Sequence, residues 1–180
     1  MFEHWRSQLP TQLGFTARKR RPAPDPVNGL LSLTYSIVHE EAVRQCKAAG
    51  LDSQLGFYHR ATFGRHSLAC DIMEPVRPYC EKWVVHCFVE GILDKRHFAY
   101  DKASGSCFLG KSGREIYYTQ IESHMPIWQR QLKANARWVS KTIDAHLRGK
   151  LYEHSPLAPH QHYDLDFLSL GGEHAVAYLL

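Results

Sequence analysis

Residues 25–50 read DPVNGLLSLTYSIVHEEAVRQCKAAG, and this stretch decides the fold. Asp25 can accept hydrogen bonds from the free amides of a helix start. Pro26 is tolerated in a first turn, where its missing N–H would have had no partner. Val27, Leu31, Thr34, Val38, Ala42 and Ala49 then recur at helical spacing, flanked by Leu30, Tyr35, Ile37 and Cys46. Gly50 supplies the stop. The pattern predicts a long helix with one apolar face, which needs other helices to cover it.

Working outward, Phe2, Trp5 and Leu9 have helical spacing and read as the last turns of a helix beginning before Met1. Gly14–Pro26 turns basic and proline-rich, with Arg18, Lys19, Arg20 and Arg21 followed by Pro22, Pro24 and Pro26, and reads as a loop. Downstream, GFYHRATFG at 56–64 is bounded by glycines and has no period, so it reads as an irregular connection. Ser67 is expected to cap a helix running through Asp71, and Pro75 to kink or restart it before Trp83, Val84, Cys87 and Phe88. Gly91 is expected to end it.

HFAY at 97–100 and CFLG at 107–110, separated by DKASGS, suggest a small hairpin. Ser112 and Glu115 have the spacing of a capping box, opening a helix expected to be interrupted near Pro126. Beyond it Trp128, Leu132, Ala136, Val139, Ile143 and Leu147 continue at intervals of four and three. The expectation is an all-α, mostly helical single domain over 1–150 with one small β-hairpin, followed by an irregular tail over 151–180.

Composition bounds function only loosely. The chain of 180 residues is 44% hydrophobic and 22% charged, ordinary globular usage, and has no apolar run long enough to span a bilayer. Its start lacks the pattern of a secretory signal, which points to a cytoplasmic protein without a membrane. Five cysteines without a CxxC pair favour neither a disulfide framework nor a cysteine zinc site and read as buried thiols. A net charge of +4 permits a polyanionic partner without requiring one.

The candidate chemistry lies just after the long helix. Asp71 and Glu74 are three apart on one predicted helix, and the loop carrying His59 precedes that helix directly, so three donors can converge. Two carboxylates and one imidazole suit Mg²⁺ or Mn²⁺, the nitrogen tilting the preference toward manganese. Spacing alone favours a solvated acidic face and an unrelated histidine over a metal site. Arg60, Arg65 and Arg77 bracket the acids and could hold phosphates or form surface ion pairs with Asp71, Glu74 or Glu81. Arg18, Lys19, Arg20 and Arg21 could track a nucleic-acid backbone or be merely solvated. Phe57, Tyr58 and Phe63 could stack on bases, with core packing the expectation for at least two of them.

Three ordered segments carry more than spacing does: RRPAPDPVNGLLSLTYSI at 20–37, GLDSQLGFYH at 50–59 and GRHSLACDIMEPVRP at 64–78. Together they closely resemble the helical domain of the CRISPR-associated integrase/endonuclease of spacer acquisition. The likeness is strong over about residues 2–90, loose to about 150, and fades in the tail. It implies a two-domain protein with an N-terminal β-rich dimerisation domain and a C-terminal helical domain binding a divalent ion, Mg²⁺ or Mn²⁺, through a glutamate, a histidine and a later acid. The histidine of the GFxH motif falls on His59. The acid before Pro-x-Arg-Pro falls on Glu74, and its neighbour one turn earlier on Asp71.

The implied reaction is metal-dependent phosphodiester transesterification, inserting spacer DNA into the CRISPR array, with Arg65 and Arg77 steadying phosphate charge. The implied partners are double-stranded DNA, a second copy of the full-length protein and the smaller second adaptation protein. The family's remaining glutamate belongs to a Gly-x-Glu-Gly segment upstream of a stretch like FEHWRSQLP. This chain contains no such segment, and Glu3 lies within the FEHW stretch and does not take that role. A truncated form lacking the β-domain is therefore expected, and a non-catalytic DNA-binding or scaffold fragment with an incomplete metal site is the alternative.

Overall fold

The computed structural model of the chain describes Trp5, residues 7–60 and residues 62–147. The long helix expected from residues 25–50 is α1, Pro26–Ala48. Asp25 caps it by accepting from the Asn28 amide at 2.9 Å. It ends in a Schellman motif: Gly50 takes φ +73°, its amide bonds Lys47 O at 3.0 Å, and the Leu51 amide bonds Cys46 O at 3.0 Å. Val27, Leu30, Leu31, Val38, Ala42 and Cys46 are fully buried on the face that the other helices cover.

Those helices are α2 (Ser67–Met73), α3 (Arg77–Val89) and α4 (Lys111–Leu147), each packed against α1. A 3-10 turn, Glu74–Val76, joins α2 to α3, as the proline at 75 led us to expect. Such a turn would send the amide of residue 75 to Ile72 O, and proline has none. Asn135 of α4 supplies the missing donor, its Nδ2 reaching Ile72 O at 2.8 Å. Gly91 ends α3 at φ +68°.

The hairpin is present as β1 (Phe98–Tyr100) and β2 (Cys107–Leu109), antiparallel, with Ala99 opposite Phe108. It sits against the start of α1, where the Cys107 amide bonds Ala23 O at 2.7 Å. A Cβ on Gly29 would lie 2.7 Å from Cys107 O, so only glycine allows this approach. The molecule is thus mostly helical, with this two-stranded sheet as an appendage.

Several expectations are corrected. Ser67 is the first residue of α2, not its cap; its Oγ donates to Arg60 O at 2.9 Å and so ties down the loop. The helix expected to open on a Ser112–Glu115 capping box begins at Lys111, so Ser112 lies inside its first turn; Gly113 packs so closely on the turn before the hairpin that an added Cβ would stand 2.6 Å from His97 O. Pro126 does not interrupt α4, which runs through it. Pro126 and Glu122, whose carbonyl loses its donor, are both exposed, so water can serve that carbonyl. Ile143 is exposed, so the stripe that buries Trp128, Leu132, Ala136 and Val139 stops short of it.

Trp5 and Leu9 are buried, whereas Phe2, Glu3 and the 151–180 tail lie outside the described residues. All five cysteines are free thiols, and Cys70 is only half-buried. Burial pushes the Cys46 thiol up to about 11 and that of Cys87 to about 12.

Candidate functional site

The site begins at Gly56. A Cβ there would stand 2.7 Å from His59 O and 2.8 Å from Asp71 Oδ2, so a glycine lets the loop fold over the Asp71 carboxylate. That carboxylate, at 0% side-chain exposure, is fully engaged. Its Oδ2 accepts the Phe57 and Tyr58 amides at 2.7 and 3.1 Å, and its Oδ1 accepts the His59 amide at 3.0 Å and His59 Nδ1 at 2.6 Å. A carboxylate only accepts, so Nδ1 carries a proton, and in the neutral ring the lone pair is then on Nε2.

His59 Nε2 faces Glu74, 3.9 Å from Oε1. Pro75 and the 3-10 turn place Glu74 between α2 and α3, where its side chain is 41% exposed. Arg77, one turn on, donates Nη1 to Glu74 Oε1 at 2.8 Å. Burial works against the Arg77 charge, but the bond to Glu74, the Glu74 charge and Tyr35 together outweigh it and hold the guanidinium above its ordinary pKa. His59, Asp71 and Glu74 therefore stand in line, as a relay with Asp71 behind and Glu74 in front. No group of three or more histidine, cysteine, aspartate or glutamate side chains among the described residues is arranged as a shell around one ion.

The family model for CRISPR-associated protein Cas1 matches residues 1–123. This chain belongs to the Cas1 family. It is 37% identical over 140 residues to "CRISPR-associated endonuclease Cas1 1" of Thermodesulfovibrio yellowstonii, covering 76% of this chain and 44% of that protein. It is 39% identical over 112 residues to a Cas4/Cas1 fusion of Geobacter sulfurreducens, covering 62% of this chain and 20% of the fusion. Its fold is similar to that of a casposase bound to integration product, with a TM-score of 0.74 at 18% identity over 93% of this chain and 51% of the other. It is also similar to a Cas1 protein from Thermotoga maritima, with a TM-score of 0.70 at 19% identity over 86% and 50% of the two chains. The chain thus spans about half the length of these relatives or less.

In this Cas1-family chain the basic residues divide into two kinds. Lys19, Arg20 and Arg21 are exposed on the loop before α1, and Arg60 and Arg65 are exposed on the loop around His59. Arg18 is half-buried and Arg77 is ion-paired, so for Arg77 the expected alternative of an ion pair with Glu74 holds. Asn28 organises the first loop. It accepts the Lys19 amide at 2.8 Å and Arg18 Nη1 at 3.0 Å, and donates to Ala17 O at 2.9 Å and Asp25 Oδ2 at 2.7 Å.

Core packing of the loop aromatics is overturned: Phe57, Tyr58 and Phe63 are all exposed, the amides of Phe57 and Tyr58 being turned inward to Asp71. The Tyr58 ring stands edge-on to His59 with centroids 5.4 Å apart. Spacing along the chain does not single out Asn28 and Tyr35. Their signal was faint, a polar residue at the helix start and a tyrosine beside the apolar stripe. No helix among the described residues is long and apolar enough to cross a membrane.

Proposed function

We propose that this chain carries the helical, metal-binding half of a DNA endonuclease/integrase of CRISPR adaptation. The observation behind the reading is the line Asp71–His59–Glu74, in which a buried carboxylate fixes the imidazole so that Nε2 points at a second, open carboxylate. An imidazole nitrogen and a carboxylate oxygen fit Mg²⁺ or Mn²⁺ as two of its ligands. His59 and Glu74 would hold the ion. Asp71, with both oxygens committed to loop donors, positions His59 instead of joining it as a ligand. A divalent ion bound there would polarise a phosphodiester and lower the pKa of an attacking hydroxyl, the chemistry of spacer insertion by transesterification.

Arg77 holds Glu74 in place and keeps a fixed charge toward the phosphate, while Arg60 and Arg65 offer further contacts from the loop. A further carboxylate, of the Gly-x-Glu-Gly kind that the resemblance attaches to this site, would complete the ligand set. The partners proposed are double-stranded DNA, a second copy of the full-length protein and a Cas2-type adaptation protein acting in the cytoplasm. The solved complexes similar in fold are named as Cas6-RT-Cas1–Cas2 assemblies.

The second reading is a DNA-binding or scaffold fragment that does no chemistry, favoured by the absence of a three-donor shell among the described residues. Manganese titration followed by electron paramagnetic resonance separates the two. Under the first reading His59→Ala and Glu74→Ala each weaken Mn²⁺ binding by roughly tenfold or more. Joining the Gly-x-Glu-Gly segment then yields Mn²⁺-dependent cleavage or strand transfer that either substitution abolishes. Unchanged Mn²⁺ binding in both variants would leave the scaffold reading. Robust activity from residues 1–180 alone would show that another acid completes the site.

A further inference from the structure

We propose that Tyr35 carries a two-arginine phosphate clamp, formed by Arg18 and Arg77 beside His59 and Glu74, which grips a DNA backbone phosphate next to the reacting one. The inference rests on reading His59 and Glu74 as a phosphodiester site. Both guanidinium carbons lie within cation–π reach of the same ring, Arg77 at 4.7 Å and Arg18 at 5.6 Å from the Tyr35 centroid. The ring cannot swing freely, because the Tyr35 hydroxyl donates to the buried carboxylate of Glu81. Tyr35 thereby joins the loop before α1 to the start of α3, two segments that share no sequence neighbourhood.

The partners of Arg18 distinguish it from a structural arginine. Its Nη1 donates to Lys19 O at 2.7 Å and Asn28 Oδ1 at 3.0 Å, and its Nη2 to Ser32 Oγ at 3.2 Å. All three acceptors are neutral, so the guanidinium is oriented without a direct ion pair, and the negative charge near it is that of Glu81 behind the Tyr35 hydroxyl. Burial lowers the Arg18 pKa from the ordinary value, and the charges of Arg20 and Arg77 lower it further against an opposing pull from Tyr35 and Glu81. Holding like charges together costs energy that an anion between them offsets. Two planar guanidiniums fit the tetrahedral oxygens of one phosphodiester, and Arg77 is already bonded to Glu74, which puts the gripped phosphate one side chain from His59.

The test measures DNA affinity of the 180-residue chain in EDTA at low salt, so that the metal plays no part. The probe is a duplex with a short 3′ single-stranded overhang, alongside a set in which one phosphate at a time is replaced by a neutral methylphosphonate. At one position, or two consecutive ones, neutralisation should weaken wild-type binding by about tenfold. Arg18→Gln and Arg77→Gln should each be insensitive to that same replacement. Tyr35→Leu should lose the sensitivity and Tyr35→Phe, which keeps the ring, should retain it.

Each variant is compared with itself on charged and neutral DNA, so a general loss of stability cannot mimic the result. If one variant fails to fold, the other arginine carries the comparison. The clamp is overturned if no phosphate stands out, if both arginine variants keep the sensitivity, or if the chain binds no DNA at low salt. Salt-dependent binding without a singled-out phosphate would sink the clamp and leave the metal reading standing. Unchanged Mn²⁺ binding in His59→Ala and Glu74→Ala would sink that reading without touching the coupling measured here.

Discussion

Asp71 shows how one buried residue sets the geometry of a candidate site. Four donors converge on its two oxygens, and one of them is the imidazole whose far nitrogen faces Glu74. Asp71→Asn keeps the size but places an NH₂ where an acceptor is needed, so at least one donor loses its partner inside the protein. Hydrogen bonds to a charged group contribute about 1.5–3 kcal/mol each, and Asp71→Asn should therefore destabilise the fold by about 2–3 kcal/mol in urea unfolding. It should also free His59 to carry its proton on Nε2, seen as a change of tautomer in ¹⁵N spectra, and weaken Mn²⁺ binding by about 10–100-fold. Wild-type stability together with an unchanged tautomer would show that the backbone amides, without the carboxylate, hold the loop.

Among the elements, α4 is the one whose sequence and structure part company. Pro126 stands inside a 37-residue helix, where it removes a hydrogen bond and crowds the preceding turn. Trp128, Leu132 and Ala136 are buried just beyond it, and their packing keeps the helix in one piece. Pro126→Ala restores the donor to the Glu122 carbonyl, while giving back some freedom to the unfolded chain. The net expectation is a gain of about 1–2 kcal/mol in urea unfolding. A loss of stability would mean that the local geometry around Pro126 is needed by its neighbours.

For the whole molecule, acid response follows from two half-buried histidines. Burial lowers the pKa of His39 from its ordinary 6.5, and the charges of His66 and Arg65 lower it further against an opposing pull from Glu40. Burial likewise lowers His124, helped by His86 and opposed by its contact with the Gln120 backbone. With folded-state values depressed, the unfolded chain binds more protons as pH falls through 6.5. Their contribution to stability is thus fully present above that value and is lost as pH drops through the folded-state values. Urea midpoints measured from pH 7.5 down to pH 5 should fall, and the double variant His39→Asn, His124→Asn should flatten the decline. A midpoint that stays level across that range would show these rings to be as hydrated as free histidine.

The sequence by itself determined the helical class, the span of α1, the break at Pro75, the hairpin and the family, because each is written in local terms: periodicity, a cap, a proline, or an ordered motif. It also put His59, Asp71 and Glu74 within reach of one another, since a short glycine-bounded loop and one helical turn separate them. Their placement relative to one another was decided only by the tertiary structure. Whether a carboxylate is buried behind an imidazole or open in front of it depends on where the loop's amides point, and spacing is silent on that. The same holds for Phe57, Tyr58 and Phe63, which an apolar count sends to the core and the fold leaves exposed. Tyr35 meets Arg18 and Arg77 because α1 packs across both of their segments, a meeting that depends on how the helices cross and so cannot be read along the chain.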